Sequence, residues 1–152
     1  MKITDVLERD TIVPNLQARD KKGVLEELVA AVAPRTGIAS EELVRVLMER
    51  ERLGSTGIGG GIGIPHGKLK RLDRLVVGVG LSRQGIDFES LDHRPTHIFF
   101  LLITPENSTG LHLKLLAQIS RLLKSEPFKE RLLASEDAGA IWDTIAAQDE
   151  EI

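Results

Sequence analysis

The sequence predicts an α/β protein in which helices cover both faces of a mixed β-sheet. Segments with helical spacing of apolar residues alternate with short β-branched runs along the 152 residues. The run 98–103 is continuously apolar, which is typical of a strand buried on both faces. Several connections are too short for helical crossovers, so some neighbouring strands are expected to be antiparallel. The length and the absence of a low-complexity linker indicate one domain, 1–152.

The amino-acid composition excludes several classes of protein and site. The 23 acidic and 20 basic residues give a net charge of -3, and aromatic residues make up 3%, so no nucleic-acid surface is predicted. There is no cysteine, which excludes disulfides, thiol catalysis and cysteine-ligated zinc. The longest apolar run is too short to cross a bilayer, and residues 1–5 lack an apolar signal region. We therefore expect a cytoplasmic protein that does not insert into a membrane.

The first quarter of the chain is predicted to contain a helix, a strand and a longer helix. Residues 1–9 place apolar residues on one side of a short helix, and residues 11–13 form a brief strand that a proline ends. Asp20 is a suitable N-cap for a helix that runs to residue 33. Because proline disrupts a helix interior, Pro34 is expected to terminate this helix.

The next helix carries an arginine on its apolar face. Ser40 is the predicted cap, and the helix reaches about residue 53. The apolar face is formed by Leu43, Val46 and Leu47. The same helical spacing continues to Arg50. A guanidinium there either reaches the helix edge in a local ion pair or faces an anion, and the glycine-rich segment that follows favours the anion.

Residues 54–68 are the most unusual stretch of the chain. Seven of the 14 glycines lie here, interrupted by three isoleucines spaced by even numbers of residues. Regular β-branched residues are not typical of a flexible linker, so we interpret the stretch as a loop entering a buried strand whose bare main chain permits close approach. Pro65 is expected to end that strand because it lacks the N–H that a ladder needs. His66 is then predicted at the tip, where its small neighbours leave the ring open.

The glycines match neither common phosphate-loop fingerprint. In the mononucleotide pattern, Gly67-Lys68 would require glycine at position 62 and a hydroxyl at position 69, where the chain has isoleucine and leucine. The dinucleotide pattern G-x-G-x-x-G fails in every register. Nucleotide binding by this stretch is therefore excluded.

Strands and helices alternate again in the second half of the chain. The predicted elements are a strand at 75–81, a polar connection at 84–92, a central strand at 97–104, a helix at 111–123 and a frayed tail at 148–151. The apolar spacing of the helix, extended back by one turn, places His112 on its core-facing side. Ser125 and Ser135 are the predicted caps of two closing helices.

One of the four histidines is in a setting suited to catalysis. His93 is expected in a solvated turn, and His97 at the start of a strand. His66 is the predicted nucleophile toward phosphorus, which requires a neutral ring whose other nitrogen is held by a hydrogen bond. The phosphoryl oxygens need hydrogen-bond donors. Candidates for these donors are the glycine-rich main chain, Thr56, His112 and Arg50.

Three segments of the chain together carry a specific combination of residues. They are Arg50-Glu51-x-Leu53-x-Ser55-Thr56-Gly57-Ile58-Gly59, then Ile62-x-Ile64-Pro65-His66-Gly67-Lys68, and finally Leu111-His112-Leu113 at a helix start. This combination resembles the enzyme IIA proteins of the bacterial phosphotransferase system, in their fructose/mannitol class. The sequence of residues 53–58 is most similar to the nitrogen-regulatory branch, and the resemblance covers essentially the whole chain.

The resemblance implies a fold, a role for particular residues and a partner. The fold is a three-layer α/β/α sandwich with a mixed sheet, a single type-2 enzyme IIA domain over 1–152, and no cofactor or metal is expected. His66 would be phosphorylated by the histidine-containing phosphocarrier protein. His112 matches the second active-site histidine of the family, Arg50 matches its active-site arginine, and Thr56 falls at its hydroxyl position.

The chain also departs from the family pattern at three positions. Gly60 and Gly63 stand where the nitrogen branch is expected to have asparagine and alanine, which would loosen the main chain of the pocket. Lys114 replaces the second histidine of a His-x-His pair, so a role carried by that histidine is not implied here.

Three functions from different classes remain open. The first is a regulatory phosphoprotein whose two forms bind different target proteins, and the second is a sugar-uptake component that passes the phosphoryl group to a IIB domain. A chain without a fused IIB or IIC segment favours the first. The third is a non-catalytic anion or metal binder that uses His66 and His112. It is the weakest, because no carboxylate lies at ligand spacing beside His66 and no cysteine is present.

Overall fold

The observed elements follow the predicted alternation, and the computed structural model describes residues 1–151. A 3-10 turn at Ile3–Asp5 precedes strand β1 (Leu7–Val13), helices α1 (Lys21–Thr36) and α2 (Ser40–Arg52), short strands β2 (Gly57–Gly59), β3 (Ile62–Gly63) and β4 (His66–Leu69), and long strands β5 (Val76–Ile86) and β6 (Thr96–Pro105). Helices α3 (Thr109–Leu122), α4 (Glu126–Ala134) and α5 (Ala138–Gln148) follow. Within the described residues, no helix has both the length and the apolar composition needed to span a membrane.

Strand β6 is the centre of a mixed sheet of six strands. The strand order is β1-β5-β6-β3-β2, and β4 also pairs with β6. Strand β5 runs antiparallel to β6, whereas β3 and β4 are parallel to it. The predicted mixed sheet is therefore confirmed, and so is the central position of the apolar run 98–103.

The alternation of side chains along β6 divides the interior into two apolar layers, because successive residues of a strand point to opposite faces. Ile98, Phe100 and Leu102 face one layer, which helices α3, α4 and α5 close. Phe99, Leu101 and Ile103 face the other layer, which α1 and α2 close. The three-layer α/β/α sandwich is thus confirmed.

Helix α1 packs unusually close to the sheet at a glycine of β5. A Cβ added at Gly80 would lie 2.7 Å from Leu28 Cδ2 and 2.9 Å from Leu16 Cδ1, closer than carbon atoms approach. Glycine at this position lets the leucines reach the main chain of the strand.

The predicted helix over residues 1–9 is wrong. Only Ile3–Asp5 form a helical turn, and the chain is extended from Leu7, which pairs with Val77 of the parallel strand β5. Both Leu7 and Ile12 are buried between β1 and the helices above it. Pairing with a strand that lies far along the chain overrides the local helical spacing.

Helix α1 does not end at Pro34. It continues to Thr36 and stops at Gly37, whose φ of 69° is in the left-handed region that favours glycine. Proline removes the hydrogen bond to the carbonyl of Ala30 and crowds that carbonyl, and both residues are exposed. Water can satisfy that carbonyl, so the helix tolerates the proline.

Two of the four predicted caps are confirmed. The side chains of Asp20 and Ser125 accept hydrogen bonds from the first turns of α1 and α4. Ser40, in contrast, is the first helical residue of α2 and does not cap it. Helix α5 is capped by Asp137 and not by Ser135, whose hydroxyl already donates to a carbonyl of α4.

Two further predictions are wrong because residues that are separated in the sequence form contacts in the fold. Strand β5 extends beyond residue 81 to Ile86, which pairs with Thr96 after a register shift, so residues 84–86 are not a connection. The tail is held rather than frayed at Asp149, whose carboxylate accepts N–H groups of Ile3 at 3.1 Å and Thr4 at 2.8 Å. Local composition does not reveal either contact.

Candidate active site

The glycine-rich stretch forms a small hairpin that leads the chain to His66. Strands β2 and β3 are antiparallel, and the turn between them has positive φ at Gly59, Gly60 and Gly61 (97°, 66° and 80°). Three consecutive residues in this region favour glycine strongly. The predicted loop entering a buried strand is confirmed from Ile62 onward, where Ile62 and Ile64 are buried. It is wrong before the turn, because residues 57–59 already form β2 and Ile58 is 47% exposed.

The turn is held at both polar groups of its middle residue. The N–H of Gly60 donates to Asp92 Oδ2 at 3.1 Å, and Lys129 Nζ donates to its carbonyl at 3.1 Å. A Cβ at Gly63 would lie 3.1 Å from Phe99 Cδ1, so the missing side chain allows close packing. The main chain at Gly60 and Gly63 is therefore held by these contacts, contrary to the predicted loosening of the pocket.

His66 begins strand β4 and is half-buried, whereas it was predicted at an open tip after the end of a strand. It pairs in parallel with Leu102 of β6. Pro65 does not end the pairing, because its carbonyl accepts the N–H of Leu102 at 3.0 Å. A proline lacks only the donor, so the ladder continues on its acceptor side.

The ring of His66 is fixed by the main chain. Its Nδ1 lies 2.7 Å from the carbonyl oxygen of Ile64. Because a carbonyl only accepts, Nδ1 carries the proton and Nε2 has the free lone pair. Burial lowers the pKa of His66, the Ile64 carbonyl opposes that shift, and the nearby charges of Arg50 and Lys68 add to the lowering. The ring is therefore neutral and nucleophilic at Nε2 near neutral pH.

His112 lies in the first turn of α3 and faces the interior, as its spacing predicted. Its ring centroid is 5.4 Å from that of His66, with 62° between the two planes. Its Nδ1 is 2.7 Å from the hydroxyl oxygen of Thr104 in β6. Burial lowers the pKa of His112 to about 4, and the nearby His66 and Lys68 contribute to the shift. Two neutral imidazoles thus meet at one edge of the sheet.

These two rings line a depression of about 600 Å³ together with Arg50 and Lys68. Arg50 lies at this depression because α2 packs closely against β4. The close packing depends on glycine at position 67 of β4, where a Cβ would lie 2.9 Å from Val46 Cγ1 of α2. Arg50 Nη1 donates to the carbonyl of Gly54 at 2.9 Å, which leaves its other N–H groups available. Two cations and two neutral imidazoles beside an opening suit a dianionic group such as phosphoryl.

Thr56 is not among the residues that line this depression. It is buried, its N–H donates to Glu51 Oε1 at 3.0 Å, and its hydroxyl donates to Glu51 Oε2. A contact between this hydroxyl and a phosphoryl group would require it to leave Glu51. Thr56, which was predicted to be a donor, therefore lies apart from Arg50, His66 and His112, which line the depression together.

Sequence reasoning missed a buried ion pair behind the site. Lys21 Nζ lies 2.9 Å from Glu51 Oε1, and the two side chains are 10% and 3% exposed. Glu51 follows Arg50 at the end of α2 and also holds Thr56, so the pair fixes the corner between α2 and β2. Lys21 opens α1 among other charged residues, and no local pattern distinguishes it from a solvated lysine.

The other two histidines lie elsewhere. His97 is half-buried with Nδ1 2.9 Å from the carbonyl oxygen of Ser82, and His93 is exposed in a turn with φ of 60°. Both match the structural roles expected from their sequence context. Within residues 1–151, no three histidine, aspartate or glutamate side chains come together as metal ligands.

The burial of His112 predicts a pH-dependent stability. Its pKa is about 4 in the folded chain and 6.5 without the fold, so between these values the unfolded chain binds the extra proton. The free energy of unfolding therefore falls as the pH drops through this window. We expect a loss of about 2 kcal/mol from this group between about pH 7 and pH 4.5, measured by urea unfolding. The His112→Asn variant should lack that part of the dependence, and an unchanged pH profile in the variant would contradict the assignment.

Comparison with known proteins finds relatives over nearly the whole chain. Residues 5–148 match the family model described as phosphoenolpyruvate-dependent sugar phosphotransferase system, EIIA 2. A nitrogen regulatory protein of Bradyrhizobium diazoefficiens is 42% identical over 146 residues, which are 96% of this chain and 95% of the relative. The fructose-specific EIIABC component of Bacillus subtilis is 35% identical over 150 residues, which are 98% of this chain and 24% of that protein.

A solved structure agrees with these matches. The crystal structure of the nitrogen regulatory protein IIA-Ntr of Neisseria meningitidis superposes with a TM-score of 0.89 at 27% sequence identity. The alignment covers 94% of this chain and 98% of that chain. The likeness therefore extends over nearly the whole chain.

Proposed function

The chain belongs to the phosphoenolpyruvate-dependent sugar phosphotransferase system EIIA 2 family, and from this premise we propose that it accepts a phosphoryl group on His66 and acts in regulation. Membership makes it a phosphotransferase component of the enzyme IIA type. The 42% identity to a nitrogen regulatory protein, over 95% of that protein, supports the regulatory form of this role. The proposal assigns the chemistry to Nε2 of His66.

The observation that carries the proposal is the state of the His66 ring. The Ile64 carbonyl holds Nδ1 at 2.7 Å, so the lone pair is on Nε2. A nucleophilic imidazole needs this arrangement, with one nitrogen fixed as a donor and the other free. The ring also lines an open depression rather than the closed core, which gives a protein donor access to it.

The transfer itself needs no proton to move on this chain. The lone pair of Nε2 attacks phosphorus while the bond between phosphorus and the donor's nitrogen breaks, and that electron pair returns to the donor ring. The hydrogen stays on Nδ1 and continues to donate to the carbonyl oxygen of Ile64, which stabilises the positive charge of the phosphorylated ring. Arg50, Lys68 and His112 line the same depression as His66 and can donate hydrogen bonds to the phosphoryl oxygens. Positioning with charge stabilisation is most of what this reaction requires.

The surface around the depression supports a protein as the donor. Leu53 is 85% exposed and Leu113 is 60% exposed, and both line the opening beside His66. Exposed apolar side chains next to a reactive group are typical of a transient protein interface. We propose the histidine-containing phosphocarrier protein as the donor, in the cytoplasm, and regulatory target proteins as the partners that distinguish the two forms.

The direct test is phosphorylation of the wild-type chain in a reconstituted cascade. Incubation with phosphoenolpyruvate, enzyme I and the phosphocarrier should add one acid-labile phosphoryl group. Phosphorus–nitrogen coupling in NMR spectra of ¹⁵N-histidine protein should place it on Nε2 of His66. A reaction without enzyme I is the control and should give no uptake. Attachment to Nδ1, or to another histidine, would contradict the proposal.

A sugar-transport role is the second candidate, and the 35% identity to a fructose-specific EIIABC component favours it specifically. The two roles differ in the acceptor of the phosphoryl group. In the same reaction, a fructose-type or mannitol-type IIB domain can be offered to the phosphorylated chain. Slow or absent transfer supports the regulatory role, whereas transfer as fast as the loading step would support sugar uptake.

A further inference from the structure

A buried hydrogen bond joins the hydroxyl of Thr104 to Nδ1 of His112, and which group donates it sets the tautomer of the imidazole. Thr104 is 0% exposed and His112 is 3% exposed, and the hydroxyl oxygen lies 2.7 Å from Nδ1. Thr104 is in β6, paired in register with Lys68 of β4 two residues after His66. The contact therefore joins the central strand to the first turn of α3 directly beside the reactive ring.

The number of available hydrogen atoms favours the Thr104 hydroxyl as the donor in this contact. Among residues 1–151, the contact with His112 is the only hydrogen bond of the Thr104 hydroxyl. If Nδ1 carried the proton, it would donate to the hydroxyl oxygen, and the hydroxyl hydrogen would be buried without an acceptor. Burying a donor without an acceptor is unfavourable, because its hydrogen bond to water is lost and not replaced. The favoured arrangement is the hydroxyl donating to Nδ1, and since a neutral imidazole has one N–H, His112 then carries it on Nε2.

The two rings are consequently in opposite tautomers. A carbonyl oxygen holds Nδ1 of His66 and leaves a lone pair on Nε2. A hydroxyl donor holds Nδ1 of His112 and leaves a hydrogen on Nε2. With ring centroids 5.4 Å apart, the site has one acceptor nitrogen that can bind phosphorus and one donor nitrogen that can bind its oxygens.

We propose that Thr104 is a positioning residue that fixes the tautomer of His112, so that Nε2–H of His112 donates a hydrogen bond to the phosphoryl group carried by His66. The assignment of the tautomer stands on geometry alone, while the positioning role rests on the proposed function. Thr104 does not touch the reacting atoms. It acts through His112, as groups that orient functional histidines generally do.

The experiment begins with the unphosphorylated wild-type protein. Long-range ¹H–¹⁵N NMR of the histidine rings at pH 7 should show the Nδ1–H tautomer for His66 and the Nε2–H tautomer for His112. The Thr104→Val variant, which keeps the shape and loses the hydroxyl, should give a tautomer mixture at His112. Phosphoryl uptake should slow in proportion to the fraction of His112 that has lost its Nε2–H, by about two-fold for an equal mixture. Thr104→Ser keeps the hydroxyl and should restore both readouts.

The same strand supplies a matched control. Thr96 is also 0% exposed in β6, and its hydroxyl has no hydrogen-bond partner within the described residues. Thr96→Val should leave the His112 tautomer and the rate of uptake unchanged. A wild-type His112 with its hydrogen on Nδ1 would overturn the proposal even if His66 is phosphorylated. So would a Thr104→Val protein that keeps the wild-type tautomer and rate.

Loss of the proposed function and loss of the tautomer assignment would give different results. If wild-type His66 accepted no phosphoryl group, the proposed function and the positioning role would both fall. The NMR spectra of the free protein would still decide the tautomer, because that measurement needs no donor protein.

Discussion

The His66→Ala variant is expected to lose phosphoryl uptake completely while remaining folded. The imidazole supplies the lone pair that attacks phosphorus, and no other neutral histidine with a free Nε2 lies in the depression if His112 carries its hydrogen there. The side chain is half-buried at the start of β4, so its removal should disturb the core little. The measurement is the mass of the protein after incubation with phosphoenolpyruvate, enzyme I and the phosphocarrier.

Two variants bracket this result. His93→Ala removes an exposed histidine of a turn and should be phosphorylated like the wild type. His112→Ala removes a donor to the phosphoryl group and should slow uptake by about two to three orders of magnitude without abolishing it. Uptake by His66→Ala at the wild-type level would refute the assignment of the nucleophile.

The largest effect on stability is expected from Lys21→Met. Glu51 would remain buried without its cationic partner, although it would keep the N–H and hydroxyl of Thr56 as donors. Breaking a buried pair from one side typically costs about 3–5 kcal/mol, because the remaining charge is uncompensated. Urea unfolding at neutral pH should therefore give a midpoint far below that of the wild type.

An exposed ion pair is the matched control for this experiment. Arg71 pairs with Glu42, and their side chains are 67% and 28% exposed. Arg71→Met should reduce the free energy of unfolding by less than about 1 kcal/mol, since water screens such pairs. Equal losses in Lys21→Met and Arg71→Met would show that burial does not make the Lys21–Glu51 pair special.

Much of the architecture could be predicted because it depends on local patterns. The continuously apolar run 98–103 is buried on both faces as expected, and the helical spacing of α3 correctly turned His112 inward. The position of His66 between proline and glycine identifies it as the candidate nucleophile from the sequence alone. These signals are periodicities and special backbone residues, which act within a few positions of the chain.

The errors share a different cause. Residues 1–9 have helical spacing, yet β1 begins at Leu7 because β5 offers a parallel partner. Asp149 was expected in a frayed tail and is instead bonded to the N–H groups of Ile3 and Thr4. In each case a hydrogen bond between distant segments outweighs the local preference, and composition carries no record of it.

Local patterns in the sequence were enough to predict helices on both faces of a mixed sheet and to nominate His66, Arg50 and His112 as candidate site residues. The hydrogen-bond partner of each ring became visible only in the fold, because the turn before β4 brings the Ile64 carbonyl to His66 and the packing of β6 against α3 brings the Thr104 hydroxyl to His112. The same holds for the buried Lys21–Glu51 pair. A proton's position depends on the donor or acceptor that lies within about 3 Å of it, and the folded chain sets that distance.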